Sequence, residues 1–416
     1  MAIRTYRIKT NEQGQVLLPE DLLQKLGITP SSLIRIEEGE NEVTIQRSSS
    51  SLAEVYIELT NRCNLDCRTC MRNVWHEPMG DMREETFAAV LESVKAIQPA
   101  PKIFFGGFGE PLAHKRAVEM IARAKASGSP VEMITNGILL TKDVALRLVD
   151  IGIDRVWVSI DGATPESYED VRLGDALPTV LENIYYLMGL LMEAGKYHPN
   201  LGIAFVAMKR NQGDLAKVIQ IGRRLGADRF SVSNVLPHTE ELRDQILYSR
   251  SMNDGNLHPS AWAPVISLPR LDPSENLVSQ LQEAVRMPVN LEVGGRRLDA
   301  GSNTCPFIKK GSVSVRWDGE VSPCLSLLHT HESYLDDHIR QSQAFSVGNV
   351  NQSSLLEIWN GSEYTDLRER LLKFDFSPCT FCNSCYMADD NLEDCFGNVQ
   401  PACGGCLWGQ GFIQCP

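Results

Sequence analysis

From Glu54 to Val235 the chain alternates short apolar runs, rich in β-branched and aromatic residues, with longer segments of helical period. No other feature restricts the fold as much. The strand-like runs are EVYIEL, PKIFFGG, VEMITNG, RVWVSID, LGIAFVAM and RFSVSNV. Between them lie REETFAAVLESVKAI, HKRAVEMIARAKASG, TKDVALRLVDIG, LPTVLENIYYLMGLLMEAG and DLAKVIQIGRRLG. Six strands joined by five helices predict parallel βα units and an α/β class, because parallel neighbours need a crossover rather than a hairpin. In such folds the chemistry gathers at the C-terminal ends of the strands. Residues 1–50 read instead as a small β-rich module: TYRIKT and QVLLP flank a turn at Asn11-Glu12-Gln13-Gly14, the helix PEDLLQKLG ends at Gly27, and Ser48 to Ser51 form a linker. Residues 241–301 are a Pro-, Ser- and Asn-rich connection. Residues 302–416 are loop-rich, with a β piece at GSVSVRW and a helix near SLLEIWNGSEYTDLRERLLK.

The 416 residues hold twelve cysteines, and their distribution is uneven. Three lie at Cys63, Cys67 and Cys70, and nine lie between Cys305 and Cys415. The N-terminus lacks the apolar core of a signal peptide and no run is apolar enough to span a bilayer, so a cytoplasmic chain is expected. Disulfides are rare in that reducing compartment, which directs clustered cysteines to metal or redox chemistry. The net charge of −13 argues against nucleic acid or an anionic membrane as partner.

In ELTNRCNLDCRTCMR, Cys63-x3-Cys67-x2-Cys70 directly follows a strand. Three thiolates in eight residues can hold three irons of a cubane and leave the fourth open. A structural zinc site is the alternative and would need a fourth ligand, for which His76 is nearest. This spacing after the first of six strands closely resembles the radical S-adenosylmethionine (SAM) superfamily, over residues 52–240. That resemblance implies a partial (β/α)6 barrel of the TIM type and a SAM-binding [4Fe-4S] cluster on Cys63, Cys67 and Cys70. It also implies reductive cleavage of SAM to methionine and a 5′-deoxyadenosyl radical that abstracts hydrogen from a substrate. Within it, Gly107, Gly109 and Glu110 of GGFGEP resemble the glycine-rich loop that meets the SAM amino group. Asn136 follows the third strand, Ser159 and Asp161 in VSIDG match the positions that hold the ribose and carboxylate, and Arg172 matches an arginine on the carboxylate. Thr69 departs from the family, where an aromatic often precedes the third cysteine.

The second region offers Cys379-x2-Cys382-x2-Cys385 and Cys403-x2-Cys406, with Cys395 between them. Cys305, Gly319-x4-Cys324 and a trailing Cys415 complete a resemblance to the SPASM auxiliary-cluster domain. Two further [4Fe-4S] clusters would take eight of these nine thiolates, and a zinc ribbon is the alternative for paired CxxC spacings. His329 and His331 read as an exposed loop, and Asp389, Asp390 and Asp394 as a solvated acidic loop that holds an acid or base at most. Trp408 and Phe412 read as packing around a cluster.

NEQGQVLLPEDLLQKLGITPSSLIRIEE resembles a SpoVT/AbrB-like swapped hairpin, which implies a homodimer through residues 1–50. The six basic and seven acidic residues of positions 1–48 suit protein contact better than phosphate. The resemblance as a whole implies a maturase acting on a client protein, peptide or complex cofactor, with a low-potential ferredoxin or flavodoxin as electron donor. The terminal CGGCLWGQGFIQCP and the ELTNRCNLDCRTCMRNVW start look similar to radical SAM proteins associated with tungsten-containing aldehyde oxidoreductases. The alternatives are a ribosomal-peptide modifying enzyme that forms thioether or carbon–carbon crosslinks, and a non-catalytic iron–sulfur DNA-binding redox regulator.

Overall fold

Each of the six expected runs forms a strand, and all six are parallel: β3 (Glu54–Ile57), β4 (Lys102–Phe105), β5 (Val131–Thr135), β6 (Arg155–Ser159), β7 (Asn200–Ala207) and β8 (Arg229–Asn234). The computed structural model describes residues 8–26, 28, 35–38, 43–46, 51–249, 265–268, 290–293, 296–297, 305–335, 337–377, 379–381 and 385–415. Ahead of the barrel, Gly14 closes the expected turn at φ +76°, followed by α1 (Glu20–Leu26) and the antiparallel pair β1 (Arg35–Glu38) and β2 (Val43–Gln46). Gly27 and most of the serine linker lie outside the described residues.

The crossover helices are α2 (Glu84–Lys95), α3 (Ala117–Ala126), α4 (Lys142–Ile151), α5 (Pro165–Arg172), α6 (Leu177–Ala194) and α7 (Leu215–Arg224). Strand side chains alternate between two faces. Val55 and Ile57, Ile103 and Phe105, and Val156 and Val158 pack outward with Phe87, Leu91, Met120 and Ile184 of the helices. Tyr56, Phe104 and Trp157 turn inward, into a second cluster with Phe307, Leu407, Trp408 and Ile413. The interior of the incomplete barrel is therefore filled from the far end of the chain.

The sheet also continues across the boundary drawn at residue 302. After α8 (Glu240–Arg243), the connection contains β9 (Val265–Leu268) and β10 (Asn290–Val293), which are parallel, and β11 (Arg296–Arg297). Beyond α9 (Pro306–Lys310), β12 (Ser312–Val315) pairs in parallel with β3, and β13 (Glu320–Ser322) and β16 (Gly348–Asn349) extend the same sheet antiparallel. β14 (His331–Leu335) and β15 (His338–Ser342) form a separate hairpin. The single helix expected near residue 360 is two, α10 (Leu355–Asn360) and α11 (Ser362–Lys373), because Gly361 leaves helical geometry at ψ 140°. α10 docks on α2 through Leu355 N–H donating to Ser93 Oγ at 3.1 Å. No helix among the described residues is long and apolar enough to cross a membrane.

Candidate active site

The C-terminal ends of the strands open on a cavity of about 280 Å³. It is lined by Cys63, Cys67 and Cys70 after β3, Gly107 and Gly109 after β4, Asn136 after β5, Ser159 at the end of β6 and Arg172 at the end of α5. Sequence reasoning did not single out α5 as a helix, since only Tyr168 and Val171 of its eight residues are buried. A capping box between Thr164 and Ser167 and Pro165 in its first turn start it. Its last residue is Arg172, so this short, polar helix delivers the guanidinium to the cavity.

The cysteine loop is held by its own polar groups. Asn61, fully buried, donates to Pro78 O at 3.1 Å and accepts from Gly80 N–H at 2.7 Å. Arg72 spans the loop, with Nη2 on Leu65 O at 2.8 Å, Nη1 on Asn61 O at 3.2 Å and Nε on Cys70 Sγ at 3.3 Å. Arg68 N–H donates to Val171 O at 3.0 Å and ties the loop to α5. Gly109 packs so closely that a Cβ there would lie 2.0 Å from Thr60 O, so the loop after β4 can seat against the cysteine loop only with glycine. Burial pushes the Cys63 and Cys67 thiols up, with Arg72 and Arg172 respectively acting against it.

The expected SAM contacts divide into two kinds. Ser159, Asn136 and Arg172 face the cavity; Asn136 Nδ2 lies 2.8 Å from Asn64 Oδ1 and 3.7 Å from Cys63 Sγ. Glu110 also borders it, but both carboxylate oxygens are committed. Oε1 accepts from Thr135 Oγ1 at 2.8 Å and Leu112 N–H at 3.1 Å, and Oε2 from Asn136 N–H at 2.7 Å. Asp161 is fully buried and does not line the cavity. Its Oδ1 accepts from Val206 N–H at 2.7 Å, and its Oδ2 lies 2.6 Å from Arg172 Nη2. Asp161 is thus placed to hold Arg172 from behind the cavity wall, while Glu110 holds Asn136 at the cavity's edge. Arg172 points Nη1 at Cys67 Sγ, 3.7 Å away, and its buried Nε has no hydrogen-bond partner among the described residues.

Cys305, Cys324, Cys403 and Cys406 surround a second, tighter cavity of about 40 Å³, together with Arg340, His331 and Trp408. Burial pushes the Cys305 thiol up to about 12 and lifts the other three, and the thiols of Cys324 and Cys403 are raised further by their neighbours. Arg340, itself buried, donates to Ala388 O at 2.7 Å and Ala402 O at 3.1 Å. Among the described residues no group of three His, Cys, Asp or Glu sits close enough to hold a single metal ion, as a zinc site would need. His76 is exposed and does not line the first cavity.

The remaining thiols differ in burial. Cys379 is buried with Ser377 Oγ at 3.0 Å, Cys385 is half-buried, Cys395 is exposed and Cys382 lies outside the described residues. Cys415 does not join the four-cysteine cavity. With Trp408, Ile413 and Gln414 it lines the first one, held there because Asn234 Nδ2 donates to Phe412 O at 2.8 Å. Three expectations about polar residues change. His329 and His331 are buried rather than on an exposed loop. Asp394 is buried too, accepting from Ser377, Phe396 and Asn398 N–H groups, so it organises its turn instead of being solvated. Trp408 borders both cavities, while Phe412 stacks on Tyr248 with centroids 5.0 Å apart.

Comparison with known proteins meets this geometry directly. The radical SAM superfamily model matches residues 57–233, and an iron–sulfur cluster-binding domain model matches residues 305–386. A tungsten-containing aldehyde ferredoxin oxidoreductase cofactor-modifying protein of Pyrococcus furiosus is 31% identical over 366 residues, covering 87% of this chain and 96% of that one. The chain belongs to the radical SAM superfamily. Among solved structures it is similar to SuiB of Streptococcus suis bound to SAM, with 15% identity, a TM-score of 0.51 and coverage of 80% of this chain and 71% of SuiB. SuiB bound to its precursor peptide SuiA gives 14% identity, a TM-score of 0.52 and coverage of 81% and 72%.

As a radical SAM enzyme it uses [4Fe-4S] clusters and SAM, and the residues present fit both. Cys63, Cys67 and Cys70 would hold the SAM-binding cluster, with Arg72 and Arg172 offsetting thiolate charge. Arg172, on the cavity wall, offers a guanidinium of the kind that suits a carboxylate. Cys305, Cys324, Cys403 and Cys406 would hold an auxiliary cluster beside Arg340. Sequence reasoning missed Arg72, although its place two residues past Cys70 in RTCMR was a signal, and it missed Arg340, whose surroundings arise only in three dimensions.

Proposed function

We propose that this radical SAM enzyme is a maturase that modifies the cofactor of a tungsten-containing oxidoreductase. The observation that carries this reading is the nearly end-to-end likeness to the Pyrococcus furiosus cofactor-modifying protein. When bound, the cluster supplies the electron that cleaves SAM. The chain's own residues bind and orient: Arg172, fixed by Asp161, offers a cation for the SAM carboxylate, and Ser159 and Asn136 offer hydrogen bonds on the same wall. Trp408, Ile413 and Gln414 bring the C-terminal end of the chain to the cavity wall. A low-potential ferredoxin or flavodoxin is the proposed electron donor, and residues 1–50 are proposed to pair two copies. The likeness to SuiB extends to the fold and does not favour the ribosomal-peptide reading.

The test is anaerobic. Reconstituted wild type should hold about twelve irons and release 5′-deoxyadenosine with dithionite and SAM, while a Cys63→Ala/Cys67→Ala/Cys70→Ala variant should hold about eight and release none. The client is tested by isolating a tungsten oxidoreductase from cells lacking this protein. Inactive enzyme that recovers on adding the wild-type protein supports the proposal; a fully active oxidoreductase from those cells sinks it.

A further inference from the structure

Glu58 and His329, both buried, and the half-buried Glu77 form a charged cluster that none of the roles above uses. The His329 ring is fully buried, stacked on Trp75 with centroids 4.0 Å apart and edge-on to Phe108 at 5.9 Å. Its Nδ1 lies 2.6 Å from Glu77 Oε2 and its Nε2 lies 2.9 Å from Glu58 Oε2. A neutral imidazole has a single N–H, so two carboxylates facing both nitrogens are matched by an imidazolium. Burial opposes that charge, but Glu58 and Glu77 outweigh it and lift the His329 pKa to about 9. Burial likewise pushes the Glu77 carboxyl up, and its bonds to His329 and Thr330 N–H outweigh this and leave it low. The other charged or titratable groups at hand are Arg316, 3.5 Å from Glu77 Oε2 and paired with Asp318, and His331, which burial keeps neutral.

What the two carboxylates hold gives the cluster its meaning. Glu58 Oε1 accepts from Phe108 N–H at 3.2 Å, and Gly107, at φ +145°, lies so close that a Cβ would sit 2.9 Å from the Glu58 side chain. Glu77 follows the cysteine loop, and His329 belongs to the C-terminal extension. One imidazolium thus joins three segments at the wall formed by Gly107 and Phe108.

We infer that His329 is a positioning residue for SAM: as a cation it clamps Glu58 and Glu77 and so holds the Gly107–Phe108 backbone in the shape that receives the cofactor. This rests on the chain's being a radical SAM enzyme and not on its client. The test titrates SAM into cluster-loaded wild type, His329→Gln and Glu77→Gln, following the electron paramagnetic resonance of the reduced cluster across pH, with iron counted in each. SAM's own titration is common to all three proteins.

Wild-type affinity should hold at neutral pH and fall as pH rises through about 9. His329→Gln should bind SAM about tenfold more weakly at neutral pH and lose the alkaline fall. Glu77→Gln, with one carboxylate gone, should move the fall to lower pH. Affinity in His329→Gln within about twofold of wild type, or an unmoved fall in Glu77→Gln, overturns the inference. If His329→Gln does not load its cluster, the Glu77→Gln profile decides alone. A wild type that binds no SAM at any pH removes the inference together with the SAM reading.

Discussion

Arg172 and Asp161 show how a buried ion pair serves a site. Their contact at 2.6 Å fixes the guanidinium at the cavity wall, and the fully buried Asp161 has no water to fall back on. Arg172→Gln should therefore weaken SAM binding and also destabilise the protein by about 3 kcal/mol, because it strands the Asp161 charge. Thermal melting should show part of that loss recovered in Arg172→Gln/Asp161→Asn, while SAM affinity should not recover. Two histidines two residues apart carry opposite pH signatures. His329, lifted to about 9, contributes stability that is complete below the unfolded value of 6.5 and lost as pH rises through 9. His331, pressed down to about 4 by burial, works the other way: as pH falls below 6.5 the unfolded chain takes up a proton that the folded one refuses. Denaturant titrations should show His331→Gln flattening the loss of stability between pH 6.5 and 4, whatever its effect at neutral pH.

At the scale of elements, the site depends on short connections rather than on the strands themselves. α5 exists to end at Arg172, so its cap is a functional feature. Thr164→Ala should cost about 1 kcal/mol in stability and lower SAM affinity while iron content stays at the wild-type value; isothermal titration alongside an iron assay separates the two. The loop after β4 seats on the cysteine loop through Gly109. Gly109→Ala, whose Cβ would meet Thr60 O at 2.0 Å, should displace that loop and lower the iron count by about four on reconstitution. The six barrel strands and five of the crossover helices were readable because apolar period survives in local sequence. α5 was not, since a two-turn polar helix carries too little period to stand out.

Across the whole molecule, the C-terminal extension is part of the barrel. β12 covers the edge of β3, and Phe307, Leu407, Trp408 and Ile413 pack against the inner faces of the strands. A chain cut after residue 301 would leave the edge of β3 open and the inner cluster unfilled, and it should aggregate where the full chain does not, as size-exclusion chromatography would show. The same closure brings Cys415 to the cavity of Cys63, Cys67 and Cys70 and leaves Cys305, Cys324, Cys403 and Cys406 around a cavity of their own.

The order of the barrel strands, the gathering of Cys63, Cys67 and Cys70 in one loop after the first of them, and the presence of a second cysteine region were all determined by the sequence alone, because each depends on residues close together in the chain. Which C-terminal thiols share a cavity, that Asp161 supports Arg172 from behind the cavity wall, and that His329 sits buried between two carboxylates depended on contacts between residues as many as 271 positions apart. Burial and pairing of that kind set a polar group's charge and direction, and only the tertiary structure brings such partners together.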